Sequence, residues 1–174
     1  MSRRSIVFIV APFMLVLISV FVLAAYFDHK TTADVIDTAY ISQYETEPAY
    51  GMETSVANAV AEIHTELHPL VLLDKLLEIE NSLGRVRDPK TLGHGPRTID
   101  CDLCWVESEE HHGDRLELPH PGVGERDYVL VPMEDLMPDP VRFLSHAGVR
   151  VTDVADRVGQ VLADLGPVAW ESAS

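Results

Sequence analysis

The chain has 174 residues, long enough for one domain with a substantial core, and 47% of them are hydrophobic, which excludes a wholly disordered chain. All 28 acidic side chains lie beyond Phe27, while two of the 13 bases, Arg3 and Arg4, precede it; the remainder carries a formal charge of −17, against −15 for the whole. That balance excludes non-specific nucleic-acid binding, which needs a basic surface, but leaves room for a phosphate compound at one local basic spot.

The run Ile6–Phe27 holds 22 residues without a charge, between Ser2-Arg3-Arg4 and Asp28-His29-Lys30. Roughly 20 apolar residues cross a bilayer as a helix. Pro12 falls in the first turns, where a helix tolerates it best. The run therefore reads as a transmembrane anchor within a segment 1–30, ahead of a domain over 31–174. Two other readings stay open. A cleaved signal peptide fits less well, because the stretch is long and its small-x-small ending is poor. Alternatively, Ser5–Val10 forms a buried strand and Met14–Tyr26 a helix behind it, a degenerate start of the domain. The lack of a polar stripe favours lipid or a deeply buried position.

Beyond it, Thr32–Ser42 reads as a strand or an ending helix, and Tyr44–Gly51, with Pro48 and Gly51, as a loop. Val56–Thr65 reads as a strand. Pro69 starts a helix, Leu70, Leu73, Leu76, Leu77 and Leu83 follow at helical spacing, and Gly84 closes it. Arg85–Gly95 is a basic loop, Thr98–Val106 a strand, and Glu107–Asp114 a polar turn leading to Leu116–Leu118. Val129–Val131 is a short apolar run. Val151–Leu165 reads as a last amphipathic helix, with Val154, Val158, Val161, Leu162 and Leu165 on one face and Gly166-Pro167 ending it. Strands and helices interleave, which predicts a helix-backed sheet of α/β (α+β) class.

The chemistry concentrates in Thr98-Ile99-Asp100-Cys101-Asp102-Leu103-Cys104. Side chains alternate along a strand, so Asp100 and Asp102 point one way while Ile99, Cys101 and Leu103 point into the core. Two carboxylates projecting together repel unless a cation joins them, and magnesium takes oxygen ligands and keeps phosphate oxygens among them. The bland alternative is a solvated strand face. Against it stands a basic cluster, Arg85, Arg87, Lys90 and Arg97, within 13 residues. Guanidinium forks match phosphate oxygens, so acids and bases together predict a place for polyphosphate plus metal. His120 and Arg126 add a donor and a cation, each weak by itself. Cys101 and Cys104 read as apolar strand positions in a reduced compartment rather than as a redox-active pair or half of a zinc cage, and no second pair completes such a cage. Glu109-Glu110-His111-His112 reads as a solvated turn, with metal binding as the weaker alternative.

The ordered motifs Leu83-Gly84-Arg85-Val86-Arg87, Gly95-Pro96-Arg97-Thr98-Ile99-Asp100-Cys101-Asp102, Leu118-Pro119-His120-Pro121 and Arg126-Asp127-Tyr128-Val129-Leu130-Val131-Pro132 resemble hydroxymethyldihydropterin pyrophosphokinases of the folate pathway. Tyr44-Glu45-Thr46-Glu47-Pro48 and Asn58-Ala59-Val60 also fit, so the likeness runs from Ser42 to Phe143. The resemblance implies a ferredoxin-like fold and transfer of the terminal diphosphate of ATP to 6-hydroxymethyl-7,8-dihydropterin, releasing AMP. By similarity, Asp100 and Asp102 hold two magnesium ions. Arg85, Arg87 and Arg97 neutralise the phosphate chain, with His120 and Arg126 on the ATP side and Glu80 near the nucleotide. Thr46 and Asn58 read the pterin edge, and the Tyr128 ring stacks on it. Arg85, Arg97, Asp100 and Asp102 form the implied catalytic set.

There are departures. The family begins with a strand ending in Gly-Ser-Asn; here the stretch reads Ile9-Val10-Ala11-Pro12-Phe13, although the distance from Ala11 to Tyr44 is about what that loop needs. Val56 stands where the family carries an aromatic residue, and His94 where tryptophan is common. They motivate an alternative, an inactive membrane-anchored relative that binds pterin or nucleotide. A third reading, an unrelated Asp-x-Asp enzyme such as a metal-dependent sugar transferase, fits the arginine spacing poorly. Arg3 and Arg4 favour a cytoplasmic N-terminus, which puts the domain outside if Ile6–Phe27 spans once. ATP chemistry and free cysteines favour a cytoplasmic domain, membrane-anchored through that run.

Overall fold

In the computed structural model, the residues described are 4–10, 36–47, 56–85 and 99–171 for the backbone, and 42–47, 57–85 and 99–166 for the side chains. Seven strands are described: β1 Arg4–Val10, β2 Ile36–Thr46, β3 Val56–Thr65, β4 Cys101–Val106, β5 His111–Gly113, β6 Leu116–Leu118 and β7 Val161–Glu171. Three helices join them: α1 Pro69–Ser82, α2 Asp127–Leu136 and α3 Pro140–His146. The main sheet runs β4-β1-β3-β2-β7, and every neighbouring pair is antiparallel. Strands β5 and β6 form a separate hairpin.

This corrects the transmembrane reading over its first residues. Ile6–Val10 belongs to an interior strand, hydrogen-bonded to β3 on one side and β4 on the other. A segment whose backbone groups bond to neighbouring strands is not a self-contained membrane helix. Among the described residues no helix is long and apolar enough to cross a membrane, and Ala11–Phe27 lies outside them.

Each face of the sheet carries a helix. Ala59, Ala61 and Ile63 of β3 pack with Leu72, Leu76 and Ile79 of α1, while Val60 packs with Leu130 and Met133 of α2. The period-2 alternation of β3 thus feeds two cores. The α1 face is carried by Leu72, Leu76 and Ile79, with Leu70, Leu73 and Leu83 flanking it. In β4 the alternation slips, because the β1–β4 register shifts between Val7 and Phe8 and leaves Cys104 as the extra residue. Cys101, Leu103 and Val106 therefore face α1, while Cys104 and Trp105 face α2.

Two other expectations shift, and one unassigned run finds its element. Strand β2 runs to Thr46, so Tyr44–Thr46 is strand rather than loop. Val129–Val131 lies inside α2, despite Pro132 in that helix. The last amphipathic helix does not form. Residues 151–160 are irregular around a 3-10 turn, Val154–Asp156, and Val161–Glu171 is an edge strand on β2. Gly166, at φ 86°, follows a register shift opposite Gln43 and Tyr44, and Pro167 is tolerated because the strand is an edge.

Candidate functional site

One end of the sheet gathers most of the residues in question. Cys101, Val10, Ala59, Gln43 and Gly166 stand level across it. Asp100 and Asp102 flank Cys101, Asn58 precedes Ala59, and Thr46 ends β2 on the same side.

Arg85 is positioned by the way α1 ends. Gly84, at φ 85°, takes the left-handed conformation that a side chain resists. The Gly84 amide donates to Asn81 O at 3.1 Å and the Arg85 amide to Glu80 O at 3.0 Å, the paired bonds of a Schellman ending. The same ending brings the Arg85 guanidinium onto the Glu80 carboxylate, and its Nη1 also meets Asp100 Oδ1. Glu80 is fully buried and accepts the Cys101 amide at 2.7 Å, so one carboxylate ties α1, Arg85 and the start of β4 together.

On the other side Arg126 caps α2, with Nη1 3.8 Å from Asp102 Oδ2 and the guanidinium carbon 5.7 Å from the Tyr128 ring centroid. Backbone bonds lock this corner: the Asp127 amide donates to Val158 O and the Val158 amide to Glu125 O, both at 3.0 Å. A Cβ on Gly122 would come within 2.6 Å of the Arg126 guanidinium, and one on Gly159 within 2.3 Å of the Tyr128 ring. Both glycines are there for close approach. The His120 amide donates to Cys104 O at 2.8 Å, and its Nδ1 accepts the Gly122 amide at 3.1 Å. That leaves the proton of a neutral ring on Nε2. Burial, then the nearby Arg126 charge, holds the His120 pKa below its usual value, so the neutral form is favoured.

Thr46 and Asn58 meet directly, with Asn58 Nδ2 donating to Thr46 Oγ1 at 2.7 Å, both buried. The Glu47 amide donates to Gln160 O at 2.8 Å, and Gly159 beside it backs the Tyr128 ring. The Thr46–Asn58 pair and Tyr128 are therefore linked through residues 159–160.

Of the expected residues, Glu80, Arg85, Asp100, Asp102, Arg126, His120 and Tyr128 form a connected group, with Thr46 and Asn58 adjoining. Arg87 and Arg97, with Lys90 and His94, lie outside the described residues. Two part-buried ties were not anticipated. Asp135 of α2 accepts the Ser42 hydroxyl and, at 2.8 Å, the Tyr44 hydroxyl of β2. Asp127 pairs with Arg157 Nη1 at 3.3 Å. Neither spacing in sequence announces a contact.

A sequence profile of the family "7,8-dihydro-6-hydroxymethylpterin-pyrophosphokinase (HPPK)" matches residues 22–138. The chain is 38% identical over 105 residues to the 2-amino-4-hydroxy-6-hydroxymethyldihydropteridine pyrophosphokinase of Bacillus subtilis, covering 60% of this chain and 61% of that one. It is 46% identical over 84 residues to the enzyme of that name from Methylorubrum extorquens, covering 48% and 51%. It is 40% identical over 97 residues to "Folic acid synthesis protein FOL1" of Dictyostelium discoideum, covering 55% of this chain but 14% of that protein. The chain thus spans less than two thirds of each of these relatives. With the profile matching more than half its length, the chain belongs to the 7,8-dihydro-6-hydroxymethylpterin pyrophosphokinase family.

Proposed function

We propose that this chain transfers diphosphate from ATP to the hydroxymethyl group of 6-hydroxymethyl-7,8-dihydropterin, a step of folate biosynthesis. The observation that supports it most is the meeting, at one end of the sheet, of Arg85 with Asp100 and of Arg126 with Asp102. We take the sheet as ferredoxin-like, on the order β4-β1-β3-β2 and the β3–α1–β4 crossover.

The donor set suits magnesium: two carboxylates at alternate positions, oxygen-only, with side chains 23% and 37% exposed. Two ions on Asp100 and Asp102 would neutralise and align the phosphate oxygens. In the reaction the pterin hydroxyl oxygen bonds to the β-phosphorus, the bond from that phosphorus to the AMP oxygen breaks, and the hydroxyl proton is released. No protein nucleophile is needed, because alignment and charge neutralisation carry such transfers. Arg85 turns its fork toward the phosphates, held by Glu80, which acts through it as a positioning residue. Arg126 and the Nε2–H of neutral His120 bind the phosphate chain, as Arg87 and Arg97 do by family resemblance. Thr46 and Asn58 read the pterin edge, and Tyr128 offers its ring for stacking. We assign the chemistry to the cytoplasm, where ATP is abundant and the free, buried Cys101 and Cys104 stay reduced.

The test is AMP release by the full chain. AMP should require ATP, the dihydropterin and magnesium together; a folded preparation giving no pterin-dependent AMP would overturn the proposal. One observation favours the runner-up, a binding relative without turnover. The family profile begins at residue 22, leaving β1 outside it, and no Gly-Ser-Asn follows Val10. Nucleotide binding in the same preparation without AMP would select that reading.

A further inference from the structure

At the opposite end of the sheet stands a second group of side chains that the diphosphate chemistry does not use. His68 caps the N-terminus of α1, and Glu109 and His111 follow the turn after β4. One ligand atom from each lies within 4.8 Å of the other two. We propose that His68, Glu109 and His111 form a binding site for a first-row transition dication of the zinc class, clasping α1 to the β5–β6 hairpin.

Three observations carry this. The first is chemical: two imidazoles and one carboxylate suit zinc, with a fourth position left for water, whereas magnesium favours an all-oxygen set. The second is geometric. His111 Nε2 and Glu109 Oε2 stand 3.3 Å apart. Two ligand atoms on a tetrahedral zinc are separated by about 3.3 Å, given metal–ligand bonds of about 2.0–2.1 Å. The His68 and His111 ring centroids are 5.5 Å apart at an interplanar angle of 88°. Two imidazoles sharing such an ion place their centroids ~5 Å apart. His68 is exposed, so its side chain can close the remaining gap.

The third is the scaffold. The Glu109 amide donates to Val106 O at 3.3 Å, and Arg115 of the hairpin pairs with Asp74 of α1. The turn and the helix are thus already held together. Binding has two identifiable costs. The metal replaces the His111 Nε2–Glu109 Oε2 hydrogen bond. His68 Nδ1 accepts the Leu70 amide at 3.3 Å, and whichever ring nitrogen takes the metal, Nδ1 can no longer accept, so that long, exposed capping bond is given up. Glu110 and His112, the other pair in the same tract, are exposed and 3.9 Å apart, and they serve as the internal control.

The test uses the full chain, freed of metal by chelation and kept in excess magnesium so that Asp100 and Asp102 are already engaged. Titration with Zn2+ and Co2+ should give one equivalent bound, a rise in melting temperature, and the visible absorption of a low-coordinate Co2+ centre. His111→Ala and Glu109→Gln should each weaken Zn2+ binding at least about tenfold, while His112→Ala leaves it unchanged. Should the variants fold poorly, Co2+ on the unaltered chain should broaden the ring NMR signals of His68 and His111 but not that of His146. No binding in excess magnesium, binding indifferent to His111→Ala, or broadening at His146 in place of His68 and His111 would overturn the proposal. None of these outcomes depends on whether the chain makes AMP.

Discussion

Glu80 has no exposed surface, and its carboxylate meets the Arg85 guanidinium and the Cys101 amide. Removing one member of a buried pair leaves the other charged and unpaired, which costs about 3–5 kcal/mol. Arg85→Ala should therefore lower the unfolding free energy by about that amount in denaturant melts. Asp102 differs. Its side chain is 37% exposed, so Asp102→Asn should leave the melting curve nearly unchanged while lowering the rate of the proposed AMP release on the order of 10²–10³-fold. Two groups give pH dependences of opposite sense. The folded pKa of His120 is lowered, so the unfolded chain binds its proton first. Stability is full above the ordinary value of 6.5 and falls as pH drops through the folded value. His120→Gln should flatten that acid limb. The Tyr44 pKa is raised from 10.0 to about 12, by burial first and then by the Asp135 hydrogen bond and charge. Its contribution is present below pH 10.0 and lost as pH rises toward about 12. Tyr44→Phe should remove that alkaline loss.

Among the elements, β3 and α1 were legible because their signals are local. Val56–Thr65 is bounded as expected, and Pro69 and Gly84 mark the helix they flank. The edge strand β7 was not legible. Val154, Val158, Val161, Leu162 and Leu165 fit a helical period, but the open edge of β2 is satisfied by pairing, and no local signal carries that requirement. Leu162 and Leu165 are in fact exposed. In α2 the sequence shows only the short apolar run Val129–Val131, and burial of Val129, Leu130 and Met133 secures a helix across Pro132. At α3, Asp139 adopts φ 52° and its Oδ1 accepts the Arg142 amide at 2.9 Å. Asp139→Ala should cost about 0.5–2 kcal/mol by removing the cap, whereas Asp139→Asn should be nearly neutral.

For the whole molecule, the decisive fact is that β1 lies between β3 and β4. A chain begun at residue 28 would lose an interior strand and expose two unpaired strand edges. Expressed alone, it should be insoluble or unfolded by circular dichroism, whereas an anchor could be removed without harm. That Arg85 and the carboxylates stand together was legible because Asp-x-Asp and the helix ending are short-range patterns. The ties that hold the site's far wall, Ser42 and Tyr44 to Asp135 and Arg157 to Asp127, join distant stretches by side chains common on any surface.

The ending of α1 makes that helix a fixed-length arm. Lengthening or shortening it by one residue between Leu72 and Ile79 would rotate everything beyond by about 100°. The carboxylate at its tip would swing away from β4, and the guanidinium would follow it. Relatives of this chain should therefore vary the composition of that arm far more readily than its length.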